Sequence, residues 1–209
     1  MDDPLSLIRE APKPKHMICL DVKVKEYVKD VIFPFIIKHH LKDAIEYCNL
    51  RDANRPFLLE IKNQAEKELI IMFDDYSEIM IIPMSSFCAN TYLEGSSDID
   101  FGVVVKGLTP ELLAEINQLL IKQGYIHKER IHSYDSFEKN IWGIEIEAKV
   151  RDADESVDII ALHQYLDNLD DQTQKIITYI KFLTHTDPIL YNLTKSLIYT
   201  WAFTSMKDL

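Results

Sequence analysis

The residues able to do chemistry concentrate in two short runs of this chain. In GSSDIDFGVVV, residues 95–105, two aspartates stand one residue apart at the mouth of an apolar stretch. The stretch predicts a strand, and strand side chains alternate, so Asp98 and Asp100 share one face while Ile99 and Phe101 take the other. Their Cα atoms then lie roughly 6.5 to 7 Å apart. Two carboxylates at that spacing repel each other unless a cation lies between them, and their oxygens suit a hard ion such as Mg2+. A wet sheet edge without metal is the competing reading. The second run is SVDIIALH, residues 156–163, where Asp158 stands among Val157, Ile159 and Ile160. Read as a strand beside the first, it brings a third carboxylate, because a lone buried aspartate is costly unless paired or metal-bound. Three such carboxylates can hold two ions roughly 3.5 to 4 Å apart. That arrangement serves phosphoryl or nucleotidyl transfer without any nucleophilic side chain.

Other groups stand near these runs in sequence. Ser85 and Ser86 follow Pro83, and hydroxyls at a strand-to-helix turn can grip phosphate, although either is equally an ordinary helix cap. Glu145, Glu147, Lys149 and Arg151 form a charged strand face. It reads as solvated ion pairs, or as Glu147 or Lys149 placed near Asp158 to orient an acceptor or hold a phosphate. The loop expected over 127–140 carries Lys128, Arg130, His132 and Tyr134, a mix of base and aromatic that could touch a nucleobase. Tyr191 and Tyr199 stand on a helical face after Pro188, suited to stacking on a base or to core packing. His39 and His40 read as surface or packing residues.

The elements that must position these groups can be read in order. Residues 1–16 form a loose lead-in, and apolar residues recur at helical spacing from Val24 to Cys48, with Pro34 opening or interrupting a helix. A second helix starts near Asn54 and Pro56 and runs to about Phe73. SEIMIIPM, 77–84, reads as a buried strand, and TPELLAEINQLLIKQG, 109–124, as a helix capped by Thr109 and stopped at Gly124. WGIEIEAKVRD, 142–152, alternates as a strand should, and the chain from about Leu169 to Met206 is helical. Strands mixed with helices in this order predict an α+β or α/β layer, of which α+β is taken as the fold class.

Composition narrows the class. With 47% apolar and 27% charged residues, the 209-residue chain is ordinary for a soluble globular protein. No run of 18 uncharged apolar residues suggests a membrane span. The N-terminus lacks the apolar core of a secretory signal, and Cys19, Cys48 and Cys88 have no paired spacing, so an intracellular, cytoplasmic setting is expected. A net charge of -11 argues against non-specific coating of nucleic acid, but leaves room for a local basic patch that grips one end.

Taken together, SSFCANTYLEGSSDIDFGVVV and the later SVDIIAL resemble the DNA polymerase beta-like nucleotidyltransferase superfamily, with its poly(A) polymerase and terminal uridylyltransferase group the nearest branch. The resemblance covers roughly residues 55–205. It implies a palm, a mixed β-sheet backed by helices, with flanking N- and C-terminal helices. Residue by residue, Ser86 takes the place of the phosphate-contacting serine, with Ser85 beside it in place of the pattern's glycine. Asp98 and Asp100 take the paired metal ligands, Ser97 the serine before them, and Asp158 the third carboxylate. DPILYNLTKSLIYTWAF, 187–203, resembles the helix with a Lys-x-Trp-Ala ending. Trp201 and Ala202 match, Tyr199 stands at the usual lysine position, and Lys195 lies one turn upstream as a candidate triphosphate contact. Asn90 replaces a glycine common in the serine turn, where glycine lets backbone approach the triphosphate.

The resemblance divides the chain into a lead-in and helix (1–54), a catalytic core (55–168) and the start of a helical domain (169–209). It implies an Mg2+ or Mn2+ enzyme with a nucleoside triphosphate such as ATP as substrate. Its acceptor would be an RNA 3′ end, and a protein partner could complete the cleft. The alternatives are a small-molecule or protein acceptor, a short oligonucleotide product, or a degenerate scaffold subunit.

Overall fold

The computed structural model describes residues 22–84, 86–95, 97–131 and 134–207. The first helix, α1 (Val22–Tyr27), passes through one wide π turn (Val28–Ile32) into α2 (Phe33–Arg51). Pro34, which lacks an N–H and crowds the preceding turn, stands directly after that π turn, where the helix widens to accommodate it. A 3-10 turn (Asp52–Asn54) leads to α3 (Arg55–Met72). Asn54 precedes α3 as expected, but its side chain donates to Glu94 and does not cap the helix.

The sheet follows, as β1 (Ile79–Pro83), β2 (Ile99–Val105), β3 (Ile126–Ile131), β4 (Tyr134–Ile141) and β5 (Ile144–Asp152), with α4 (Pro110–Lys122) between β2 and β3. Thr109 caps α4 by accepting from the Leu112 N–H at 3.2 Å, and Gly124 ends it with φ +85°. Three helices complete the described chain: α5 (Val157–Asp167), α6 (Asp171–Thr184) and α7 (Pro188–Lys207). Spatially the strands run β1-β2-β5-β4-β3, with β2 and β5 parallel and every other pair antiparallel. A mixed sheet backed by helices is the α+β class expected from the sequence. Among the described residues, no helix is long and apolar enough to cross a membrane.

Two expectations are corrected. In the stretch expected as a loop over 127–140, the described residues form the antiparallel strands β3 and β4, and β4 buries Asp135, Ser136 and Phe137. Polar residues in a sheet hid that strand. The expected strand SVDIIALH is the start of α5, so Asp158 does not lie on a strand beside β2. Short apolar runs fit either element. Here Leu162 and Leu166, four residues apart, are the ones buried, as helical spacing requires.

Burial divides into two clusters. One lies on a single face of the sheet, where Phe101, Val103, Ile146 and Ala148 pack against Ile61 and Leu69 of α3 and Ile116 and Leu120 of α4. The other joins helices from both ends of the described chain, with Phe33 and Ile36 of α2 against Ile176 of α6 and Trp201 of α7. The guanidinium of Arg51, only 2% exposed, ties these layers to the turn after β1. It donates to the carbonyls of Asn90 (3.1 Å) and Tyr92 (3.3 Å), to Thr178 Oγ1 (3.2 Å) and to Asp52 Oδ1 (2.8 Å). Asn90, at φ +52°, supplies the left-handed residue of that turn, which asparagine tolerates better than most side chains. Its Oδ1 accepts from both Arg51 and Arg55.

Replacing Arg51 by Met should therefore leave buried carbonyls without donors. We expect a loss of about 2–3 kcal/mol in urea unfolding. A loss under about 0.5 kcal/mol would show that the turn is held by other contacts.

Candidate functional site

The site grows out of the pairing between β2 and β5. Strand β2 is an interior, buried strand between β1 and β5, and Asp100 is its one charged residue. Parallel register sets Asp100 opposite Glu147 and Gly102 opposite Lys149. Paired residues share a face, so Asp100, Glu147, Lys149 and Arg151 all stand on the side turned away from the apolar core. Asp98, just before β2, completes the group. One oxygen from each of Asp98, Asp100 and Glu147 lies within 4.8 Å of the others.

Asp158 is not among the three. It is exposed in the first turn of α5, and Glu147 stands where the third carboxylate was expected. The signal for Glu147 is present in the sequence, as the charged face of IEIEAKV, but its neighbour across the sheet depends on tertiary register. Ser136 of β4 donates to Glu147 Oε1 at 2.5 Å and fixes that carboxylate. The Lys149 ammonium lies 2.9 Å from Asp100 Oδ1 and 2.9 Å from Glu147 Oε2.

The electrostatics follow from burial and crowding. Burial pushes Asp100 up to about 7, against the pull of Lys149, with a hydrogen bond to Glu147 acting in the same direction as burial. Burial pulls Glu147 upward too, but Lys149 and the hydrogen bonds from Asp100, Lys149 and Ser136 outweigh it and leave Glu147 lowered. Asp98 is raised, first by withdrawal from water and then by Glu147. Desolvation would lower Lys149, but Asp100 and Glu147 hold it above its ordinary range. Three carboxylates face one ammonium, so the cluster is short of positive charge. Its donor set is all hard oxygen, which fits Mg2+ or Mn2+.

Beside the cluster, Ser86 and Thr91 face His163 of α5, Lys181 of α6 and Lys195 and Tyr199 of α7 across a narrow cleft. Its enclosed volume is about 10 Å³, room for about one water, so a larger ligand would lie along its mouth. Lys181 is 6% exposed, donates to the Thr91 carbonyl, and is lowered to about 7 by burial and by Lys195 and Arg51. Burial, with Lys149 and Arg151, holds His163 at about 4 and therefore neutral near pH 7. Burial likewise pushes Tyr199 up to about 12. The Lys195 ammonium lies 5.2 Å from the Tyr191 ring and pulls on Asp98, which joins the cleft to the cluster electrostatically.

The remaining sequence candidates fall as follows. Ser86, Lys195 and Tyr199 line the cleft. Ser97 accepts from the Leu93 N–H at 2.9 Å and closes the loop before β2. Ser85 and His132 lie outside the described residues. Tyr134 packs under the Arg151 guanidinium at 4.1 Å, and exposed Lys128 pairs with Glu138. His163, Lys181 and Ser136 were not legible beforehand, since nothing in their local sequence sets them apart.

No family model matches the chain, and no curated protein matches its sequence. Solved structures do. The conserved protein GrpB from Enterococcus faecalis aligns at TM-score 0.52 and 15% identity, over 70% of this chain and 93% of GrpB. Cid1, solved in complex with its short product ApU, aligns at TM-score 0.51 and 13% identity, over 73% of this chain and 50% of Cid1. A cytoplasmic RNA terminal U-transferase aligns at TM-score 0.49 and 12% identity, over 67% of this chain and 45% of the transferase. The chain thus spans about half the length of Cid1 and of the U-transferase. At these identities the likeness is one of fold alone.

The raised pKa of Asp100 makes a prediction for the metal-free protein. A carboxyl raised on folding binds an extra proton in the native state, so its stabilisation is full below about pH 4 and is lost as pH rises toward 7. Asp98 acts in the same direction, whereas the lowered Glu147 acts only at acid pH and the raised Lys149 only at alkaline pH. In EDTA, the Tm of the parent should fall relative to that of Asp100→Asn between pH 5 and pH 8. The lowered His163 and Lys181, present in both, act in the opposite direction and cancel in the comparison. Parallel Tm profiles for Asp100→Asn and the parent would refute a perturbed carboxyl.

Proposed function

We propose that this protein is a metal-dependent nucleotidyltransferase that moves a nucleoside monophosphate from a nucleoside triphosphate to a hydroxyl, in the first instance an RNA 3′ end. The observation that carries the reading is the meeting of Asp98, Asp100 and Glu147 on one face of a sheet, in a fold similar to that of Cid1, solved with its short product ApU. In the reaction the acceptor oxygen bonds to the α-phosphorus, the bond from that phosphorus to the pyrophosphate oxygen breaks, and the hydroxyl proton passes to solvent. Asp98, Asp100 and Glu147 would hold Mg2+ or Mn2+, which supplies Lewis-acid polarisation of the phosphate and lowers the pKa of the attacking hydroxyl.

The chain's own groups do the rest. Ser136 and the strand pairing hold Glu147 and Asp100 in place, so the carboxylates need no rearrangement to act together. Ser86 and Lys195, which line the cleft, are suited to the β- and γ-phosphates, and a nearby polyphosphate would favour the charged form of buried Lys181. Lys195 is a point charge on a flexible stem, fitted to a polyphosphate whose position changes as pyrophosphate leaves. Tyr191, beside Lys195, offers a face on which a base can stack. An acceptor other than RNA is the second reading, favoured by the net charge of -11, which disfavours a long polyanion.

The test is pyrophosphate release with Mg2+ or Mn2+, each of the four nucleoside triphosphates, and acceptors ranging from a nucleoside to a long RNA. Glu147→Gln should reduce turnover at least about 100-fold, a barrier increase of about 2.7 kcal/mol. Asp158→Asn should leave it within about twofold. The reverse pattern would return the third carboxylate to Asp158. Absence of turnover with every acceptor by folded parent protein would defeat the proposal.

A further inference from the structure

We infer that Lys149 is the resident cation of the carboxylate cluster, which a divalent ion must displace before it can bridge Asp100 and Glu147. The inference rests on the reading of the cluster as a metal site. Lys149 follows Glu147 by two residues on β5, so the two side chains leave the same face of the strand. Its register partner is Gly102, which has no side chain to compete for that space. A Cβ at Gly102 would meet Met84 Sδ at 2.4 Å, so the strand is closely covered there and Lys149 is directed along the face toward the carboxylates. Its ammonium meets Asp100 and Glu147 at 2.9 Å each.

Those two carboxylates are also two of the three donors any ion in the cluster needs. An ion bound to their oxygens at about 2.0–2.1 Å would stand within a few ångströms of the ammonium. At such separations like charges repel strongly even with partial screening. The lysine stem, with four rotatable bonds, lets the ammonium swing out. Lys149 therefore stabilises the metal-free protein and weakens metal binding, and the site loads by exchanging one cation for another.

The exchange is read without any turnover, by titrating Mn2+ into the full chain and following free Mn2+ by electron paramagnetic resonance. Lys149→Met should bind Mn2+ at least about tenfold more tightly than the parent, since the competing charge is gone. Lys149→Arg, which keeps the charge, should bind no more tightly than the parent. In EDTA, Lys149→Met should melt below the parent, and Mn2+ should raise its Tm by more than it raises the parent's. Lys149→Gln is measured beside it, so that poor folding of one variant does not decide the outcome. Equal or weaker Mn2+ binding by both neutral variants, with measurable binding by the parent, overturns the inference and leaves the metal site standing. Failure of parent and variants alike to bind Mn2+ overturns both.

Discussion

The parallel pairing of β2 with β5, in the register that sets Asp100 against Glu147, is the constraint from which the site follows. Side chains on a strand alternate, so a slip of one residue would turn Glu147 and Lys149 into the apolar core and bring Ile146 and Ala148 out. The core on the opposite face locks the register, because Phe101, Val103, Ile146 and Ala148 are all fully buried. Hydrophobic packing on one side thus aligns charge on the other. The alignment is costly, since two carboxylates are brought together at a strand that is otherwise apolar. Lys149 offsets part of that cost, but a well-packed apolar residue in place of such a buried ion pair is often neutral or stabilising. The cluster is therefore poorly explained as a device for stability, and better explained by what it can bind.

The second requirement is that the turn after β1 reach the cluster at a fixed distance. That turn lends Phe87 and Tyr92 to one core and Ala89 to the other, but its buried backbone carbonyls still need donors. Arg51 solves this with a polar joint: one guanidinium satisfies two turn carbonyls and Thr178 of α6 at once. Asn90 has two roles there, taking the left-handed backbone conformation and accepting from two arginines through its side chain. A glycine would adopt the same φ but could not make those bonds. The asparagine that departs from the glycine pattern is thus compatible with the turn the pattern needs.

Much of this was legible in the sequence where local chemistry is decisive. The alternation in β5, the aspartate pair leading β2, and the cap and stop of α4 each depend on residues within a few positions. The misreadings share one cause. SVDIIALH carries no local mark that separates helix from strand, and only its packing on α7 shows which face is buried. Strand β4 was hidden because Asp135 and Ser136 are polar yet buried, satisfied by His127 and Glu147. Glu147 itself was visible as one of four charged residues. Which of the four meets Asp100 is decided by register, and register is settled by the whole sheet.

Charge distribution shows why so acidic a chain can still suit a polyphosphate. The net charge of -11 belongs to the surface as a whole, whereas the cleft wall formed by α6 and α7 presents Lys181 and Lys195. His163, on α5 between the cleft and the sheet, is held neutral there, so it adds no charge that would compete with those lysines near pH 7. Under the proposed function, a nucleoside triphosphate carrying a divalent ion would match both the carboxylates and the lysines. The remote body of a long RNA would meet mostly acidic surface, with repulsion that decays over about 10 Å at 0.1 M salt. Under the proposed function only the terminal nucleotides of an acceptor are then favourably placed. The same field that admits the triphosphate would limit the acceptor to its end.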